Sequence, residues 1–228
     1  MADWIIFIFL ILFSFLIAIN AKKNKEKIPK SRVRFYFIDI IFSIIILVAI
    51  YILNPVIYKK LDFDKIGKGL PISEEWVVSA IFPIFFIPFI LSLLPKHNYF
   101  FKKDVTEKGV FGYPDALLPN NVNEHLLFSV YIINGVVFEE LFCRQFMFYS
   151  FFQILALKGD VLLMISSLFF AIGHSYQGWK GVLGTFIGGL LLGKIFQIEG
   201  TILYPMILHL FFNLTLSVLA FKRLRTKT

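Results

Sequence analysis

The sequence is short of cysteine, of charge and of internal repetition. One cysteine, Cys143, occurs in 228 residues, which excludes an internal disulfide and a multi-cysteine metal site and leaves that thiol as a small apolar helix residue. Only 17% of residues are charged, against roughly a quarter in an ordinary soluble domain, so a globule with a solvated surface is a poor description. No repeat of fixed period and no low-complexity linker divides the chain, which makes residues 1–228 one integral domain. The H-E-x-x-H signature of helix-borne zinc sites is also absent.

What fills the space is apolar. Hydrophobic residues make up 58% of the chain, 29 of them Phe, and mean hydropathy is +0.77. A hydrocarbon core of about 30 Å is crossed by about 20 helical residues, and runs of that order recur. They are Trp4 to Asn20, Phe35 to Ile57, Val77 to Leu94, Leu126 to Phe152, Val161 to His174, Val182 to Ile198 and Thr201 to Phe221. The expected fold class is therefore all-α, a polytopic transmembrane bundle of about seven spans. Residues 1–94 carry spans with only scattered polar residues, among them Asp39, expected to snorkel at a helix end. Residues 125–221 carry the unusual ones.

The net charge of +8 does not point to nucleic acid. Seven basic residues lie between Lys22 and Arg34 and four more, Lys222, Arg223, Arg225 and Lys227, in the tail. Both groups abut apolar runs, so the positive-inside rule accounts for them, with anionic lipid a secondary attraction. An external N-terminus, an odd number of spans and a cytoplasmic C-terminus satisfy that pattern. The first run is not a secretory signal, because its basic residues follow it and Asp3 precedes it. Multi-pass residence in a plasma membrane, of bacterial type given the Phe, Ile, Lys and Asn content, is the expected location.

Span six carries Gly184, Gly188, Gly189 and Gly193, two overlapping small-xxx-small pairs suited to close helix approach. Lys194 lies near the end of the same span, where snorkelling explains it.

The stretch VVFEELFCR, Val136 to Arg144, is harder to explain. Each charge near the bilayer centre costs about 2.5 to 3.5 kcal/mol on insertion scales, so Glu139, Glu140 and Arg144 together cost roughly 8 to 10 kcal/mol if unpaired. At about 100° per residue, Glu140 and Arg144 stand about 40° apart on a helix and can pair, whereas Glu139 and Arg144 stand about 140° apart. One ion pair and one leftover carboxylate result. Partners for the leftover acid occur downstream: His174 ends a span that contains Phe170, and His209 and Asn213 share a face of the last span at i, i+4. His209 and Asn213 equally suit an interhelical hydrogen-bonded staple, and His174 a hydrogen-bonded interfacial residue.

Three ordered motifs on separate helices, E-E-x-x-x-R at Glu139, Glu140 and Arg144, F-x-x-x-H at Phe170 and His174, and H-x-x-x-N at His209 and Asn213, resemble the CPBP or Abi family of intramembrane proteases, which includes the CAAX prenyl endopeptidases. The resemblance covers the C-terminal half. It implies that Glu139 and His174 activate a water, that His209 and Asn213 form an oxyanion hole, and that Glu140 and Arg144 are a structural ion pair supported by Phe170. It also leaves a fork over metal. No cofactor is the expectation, with zinc on Glu139, His174 and His209 as the alternative.

The resulting expectation is an intramembrane endopeptidase acting on a peptide or membrane-protein substrate in the lipid bilayer, in bacteriocin self-immunity or signalling-peptide processing. Two other classes compete with it. A non-catalytic immunity or regulatory protein would bind a peptide or partner without needing Glu139. A proton-linked transporter would also use buried acids and histidines, but would show pseudo-symmetric halves, and none is visible.

Overall fold

The computed structural model describes Ile8, residues 31–53, 61–67 and 69–93, six residues between 105 and 114, and residues 117–227. The expected first span and most of the first basic cluster lie outside the described residues. Seven helices organise the rest: α1 (Arg32–Leu53), α2 (Phe82–Leu93), α3 (Val122–Glu140), α4 (Met147–Leu155), α5 (Gly159–Gly173), α6 (Gly178–Glu199) and α7 (Leu203–Lys227). Two π-helical turns interrupt them, Val77–Ile81 before α2 and Leu141–Phe146 between α3 and α4. In the polar loop, three two-residue strands form an antiparallel meander, β1 (Val105–Thr106), β2 (Gly109–Val110) and β3 (Tyr113–Pro114).

The helical class agrees with the sequence; the count of about seven spans is not reproduced. Among the described residues, four helices are long and apolar enough to cross a membrane, Arg32–Ile52, Val122–Leu155, Ser175–Glu199 and Leu203–Lys222. Ser79–Leu93 and Gly159–Gly173 are shorter. The 15 residues of α5 rise about 22 Å at 1.5 Å each, short of the hydrocarbon thickness of about 30 Å. Local chemistry ends α5 early. His174 leaves helical geometry at φ −96° and ψ 15°, a 3-10 turn follows over Ser175–Gln177, and Gly178 takes φ 80°. The second motif histidine therefore sits on a helix end inside the bundle.

The start of α3 is fixed by reciprocal capping. Asn121 accepts from the Glu124 backbone N–H at 2.9 Å, and Glu124 accepts from the Asn120 N–H at 2.8 Å, which satisfies donors that a helix start otherwise leaves open. Further along, α3 runs beside α1. Tyr36 stacks on Tyr131 at 5.2 Å and Asn134 donates to Ser43 at 2.6 Å.

Phenylalanine fills the interior. Phe142, Phe146, Phe148 and Phe151 from the π turn and α4 meet Phe170 of α5 and Phe196 of α6 in one buried cluster. Phe63, from a one-turn helix after α1, inserts edge-on to Phe196 at 5.0 Å. Rings suit a bundle in lipid because two apolar phases give no hydrophobic drive between helices, and dispersion and edge-to-face contact must supply it. Outward, α1 presents Phe37, Ile38, Ile45 and Ile52, all more than half exposed, as a lipid-facing helix should.

The glycines of α6 divide by face. A Cβ on Gly189 would meet Phe170 and Ser167 at 3.2 Å, and one on Gly193 would meet Leu163 at 2.5 Å, so this pair permits the approach of α5. Gly184 and Gly188 face open space. Gly189→Leu is expected to lower stability by about 1–3 kcal/mol through overpacking, whereas Gly184→Ala should raise it by up to about 1 kcal/mol through helix propensity. Thermal unfolding of the two variants in the same detergent distinguishes these outcomes, and equal shifts would refute the division.

Lys194 corrects an expectation. It does not snorkel; its side chain is 6% exposed and its Nζ lies 3.6 Å from Asp160 Oδ1 at the start of α5. Asp160 Oδ2 also accepts from the Leu70 N–H at 2.9 Å. The turn after α1 is thus tied to the same end of α5 and α6.

Candidate active site

Glu139 and Glu140 are the last two residues of α3, and being adjacent they project in different directions. Glu140 is fully buried and Arg144, one turn on, is 1% exposed; their Oε2 and Nε are 3.3 Å apart. This is the ion pair expected from their spacing, although it forms across the junction with the π turn. Arg144 is held on two other sides. Its Nη2 donates to the Gly189 carbonyl at 3.2 Å, and its guanidinium lies 4.5 Å above the Phe170 ring. Cation–π contact of this kind is worth most where water is excluded.

Glu139 faces a different environment. Its side chain is 29% exposed, and two imidazoles approach it: His174 Nε2 lies 3.9 Å from Oε1, and His209 Nε2 lies 3.6 Å from Oε2. All three motifs therefore converge on the carboxylate that the helix arithmetic left without a partner. Asp39 of α1 is half-buried and close enough for its charge to repel that of Glu139.

The other nitrogen of each ring fixes its orientation. His174 Nδ1 lies 2.9 Å from the Phe170 carbonyl, and a carbonyl only accepts, so Nδ1 carries the hydrogen. His209 Nδ1 lies 2.8 Å from Glu140 Oε1, and a carboxylate likewise only accepts. Both rings consequently turn Nε2 toward Glu139. Phe170 stands between them, with its ring 4.7 Å from His174 and 5.8 Å from His209. The expected support role of Phe170 is thereby extended: one ring packs against Arg144, His174 and His209 together.

The contact between His209 and Glu140 was not visible from spacing. It joins residues 69 positions apart, and no periodicity relates one helix's rotation to another's. Asn213 lies one turn beyond His209 on α7 and is half-buried. Among the described residues no hydrogen bond ties its side chain to Glu139 or either histidine. Cys143 is buried, as read, and its carbonyl accepts from Ser166 at 2.7 Å.

Zinc was the alternative for Glu139, His174 and His209. Both rings offer Nε2, the donor that zinc takes from histidine. However, among the described residues no group of three His, Cys, Asp or Glu side chains is arranged to hold a metal ion. The donor types suit a metal, and the two Nε2 atoms lie 3.9 and 3.6 Å from Glu139 Oε1 and Oε2.

Exposure separates two layers of this site. Arg144, Glu140 and most of His209 are sealed inside, while Glu139 and His174, 29% and 15% exposed, line the side that water can reach. Residues 121–215 match the model of the type II CAAX prenyl endopeptidase Rce1-like family. No curated protein and no solved structure matches the chain. The matched segment contains all three motifs, so over residues 121–215 this chain is similar to the Rce1-like type II CAAX prenyl endopeptidases, which supports its place in the CPBP/Abi family.

Proposed function

We propose that this protein is an intramembrane endopeptidase that hydrolyses a peptide bond with a water activated by Glu139 and His174. The carrying observation is the partly exposed Glu139 carboxylate flanked by two imidazole Nε2 atoms at 3.6 and 3.9 Å. A water beside Glu139 and His174 can bond to both. As its oxygen attacks the scissile carbonyl carbon, its proton passes to the Glu139 carboxylate, a new C–O bond forms, and the carbonyl π electrons move onto oxygen. Collapse of that intermediate breaks the C–N bond, and the proton held by Glu139 goes to the leaving amine. Peptide hydrolysis needs such a base and a donor for the oxyanion. His209 is the donor, with Asn213 beside it on the same helix face.

The substrate is a peptide or membrane protein whose scissile bond enters the bilayer, consistent with the family's name and with at least four membrane-length helices. In this reading the C-terminus lies on the cytoplasmic side of a plasma membrane, which the positive-inside rule favours for basic clusters beside apolar runs. Self-immunity against a bacteriocin or maturation of a signalling peptide are roles of this chemistry. The purified protein incubated with candidate peptides, with and without a C-terminal prenyl group, tests the proposal when products are mapped by mass spectrometry. A non-catalytic binding protein would yield no product, and its cellular phenotype would survive Glu139→Ala at equal expression.

The hydrolysis proposed here is metal-free. Cleavage is expected to persist at more than about half its rate after exhaustive chelation, because the proposed base is a carboxylate and the chain lacks the H-E-x-x-H signature of helix-borne zinc sites. Loss of activity on chelation, restored by added zinc, would overturn this.

A further inference from the structure

Gly135 is the only glycine of α3, and neither backbone conformation nor helix packing accounts for it. Its φ lies outside the left-handed region that calls for glycine. A Cβ placed on it would meet no heavy atom of the described residues within 4 Å, whereas Gly189 and Gly193 are kept small by the approach of α5. Glycine weakens a helix interior relative to alanine, so its presence inside this 19-residue helix calls for another cause.

Its place on α3 supplies one. Gly135 comes one turn before Glu139, about 40° away around the helix at about 100° per residue. On one side of that strip, Phe128 and Ile132 are buried in a cluster with Leu216 and Leu219 of α7. On the other side, Tyr131 stacks on Tyr36 and Asn134 donates to Ser43, both of α1. The strip that carries Gly135 thus runs between the face given to α7 and the face given to α1, and it leads to the catalytic carboxylate.

The opposite direction along the chain is closed. Glu140 and every residue from Phe142 to Phe148 are buried, so a peptide that reaches Glu139 cannot continue past it toward α4. Dimensions then fix the register. Four residues of helix rise about 6 Å, and an extended peptide advances about 3.3–3.6 Å per residue. A chain whose scissile carbonyl lies at Glu139 therefore passes Gly135 about two residues away.

We propose that Gly135 is a specificity-determining residue, the floor of a substrate cleft where an extended peptide lies against the α3 backbone two residues from the scissile bond. The proposal rests on the endopeptidase reading and deepens it by naming where the substrate lies and in what conformation. A helical substrate keeps its carbonyls hydrogen-bonded within a cylinder about 10–12 Å across. An extended one bares the scissile carbonyl and is thin enough to approach a glycine closely. The segment cleaved is thus one that is unwound, or is free to unwind, for at least two residues beside the cut.

The test uses the full chain in lipid bilayers and a peptide whose cut is mapped by mass spectrometry. Gly135→Leu should unfold at or above the wild-type temperature, since leucine favours a helix, and should lose at least about tenfold in kcat/KM, mainly through KM. Val137→Leu, on the exposed side of the same helix, should change neither. Wild-type kinetics in Gly135→Leu overturn the proposal and leave the endopeptidase reading intact. A wild type that cleaves no peptide removes that reading, and this inference with it. A second measurement does not need Gly135→Leu to fold. Gly135→Cys is combined with Glu139→Gln, so that the peptide is bound but not cut, and the peptide carries a single cysteine at successive positions. The introduced thiol should form a disulfide most readily with the cysteine about two residues from the cut; Cys143 is buried and does not compete. No disulfide, or equal yields at every position, overturns the proposal.

Discussion

Glu139→Gln should accumulate as folded protein and lose between about a hundredfold and ten-thousandfold in kcat/KM, the range that a positioned general base contributes. The substitution is nearly isosteric, so the packing around the end of α3 is preserved. The amide cannot take a proton from water. Folding should tolerate the change because Glu139 is 29% exposed and its contacts, at 3.6 and 3.9 Å, are longer than hydrogen bonds. Losing them removes little stabilisation, and removing one carboxylate relieves its repulsion with Asp39. Product formation followed by mass spectrometry, beside a thermal unfolding curve on the same preparation, measures both halves. Undiminished cleavage would leave the proposed mechanism without its base.

Arg144→Ala should behave in the opposite way, as a failure of folding. Arg144 is 1% exposed and is at once the partner of Glu140, a donor to the Gly189 carbonyl and a plane over Phe170. Removing one member of a buried ion pair costs on the order of 3–5 kcal/mol, since the other charge remains without its counterion. A protein near the lower end of ordinary stability, about 5 kcal/mol, would lose most of its folding margin at that cost. His209 would still bond one oxygen of Glu140, but Oε2 would face the vacated space. Arg144→Lys should recover little, because an ammonium cannot pair with Glu140, reach Gly189 and lie flat on Phe170 together. Folded yield after membrane extraction, by size-exclusion chromatography at matched expression, is the measurement. A fully folded and active Arg144→Ala would reverse the roles assigned to the two glutamates.

The two outcomes differ because neighbouring residues of one helix face different surroundings. Part of that difference was legible from helix geometry: Glu140 and Arg144 at i, i+4 can meet, and Glu139 is left over. Lys194 shows where such reasoning fails. Judged along its own helix it sits near an end and should snorkel; its partner, Asp160, comes from the first turn of α5, packed alongside through Gly189 and Gly193. Asp39 is half-buried on α1, which packs along α3, a neighbour that its own helix does not reveal. The expected fifth span is shorter than a full crossing because α5 stops at His174. Its length in sequence resembled a crossing, while the 3-10 turn and Gly178 that end it are backbone features without a hydropathic signature.

The sequence by itself determined the helical class, the order of the apolar segments, one buried ion pair and the identity of the residues able to handle a proton. Each of these depends on composition or on neighbours within two helical turns, where the period of the helix fixes which side chains can meet. Only the tertiary structure decided that both histidines turn Nε2 to Glu139, that His209 is shared between two glutamates, and that a π turn follows them. Those features depend on the rotation of α3, α5 and α7 about their own axes, which is set by aromatic packing and glycine contacts between helices far apart in the chain.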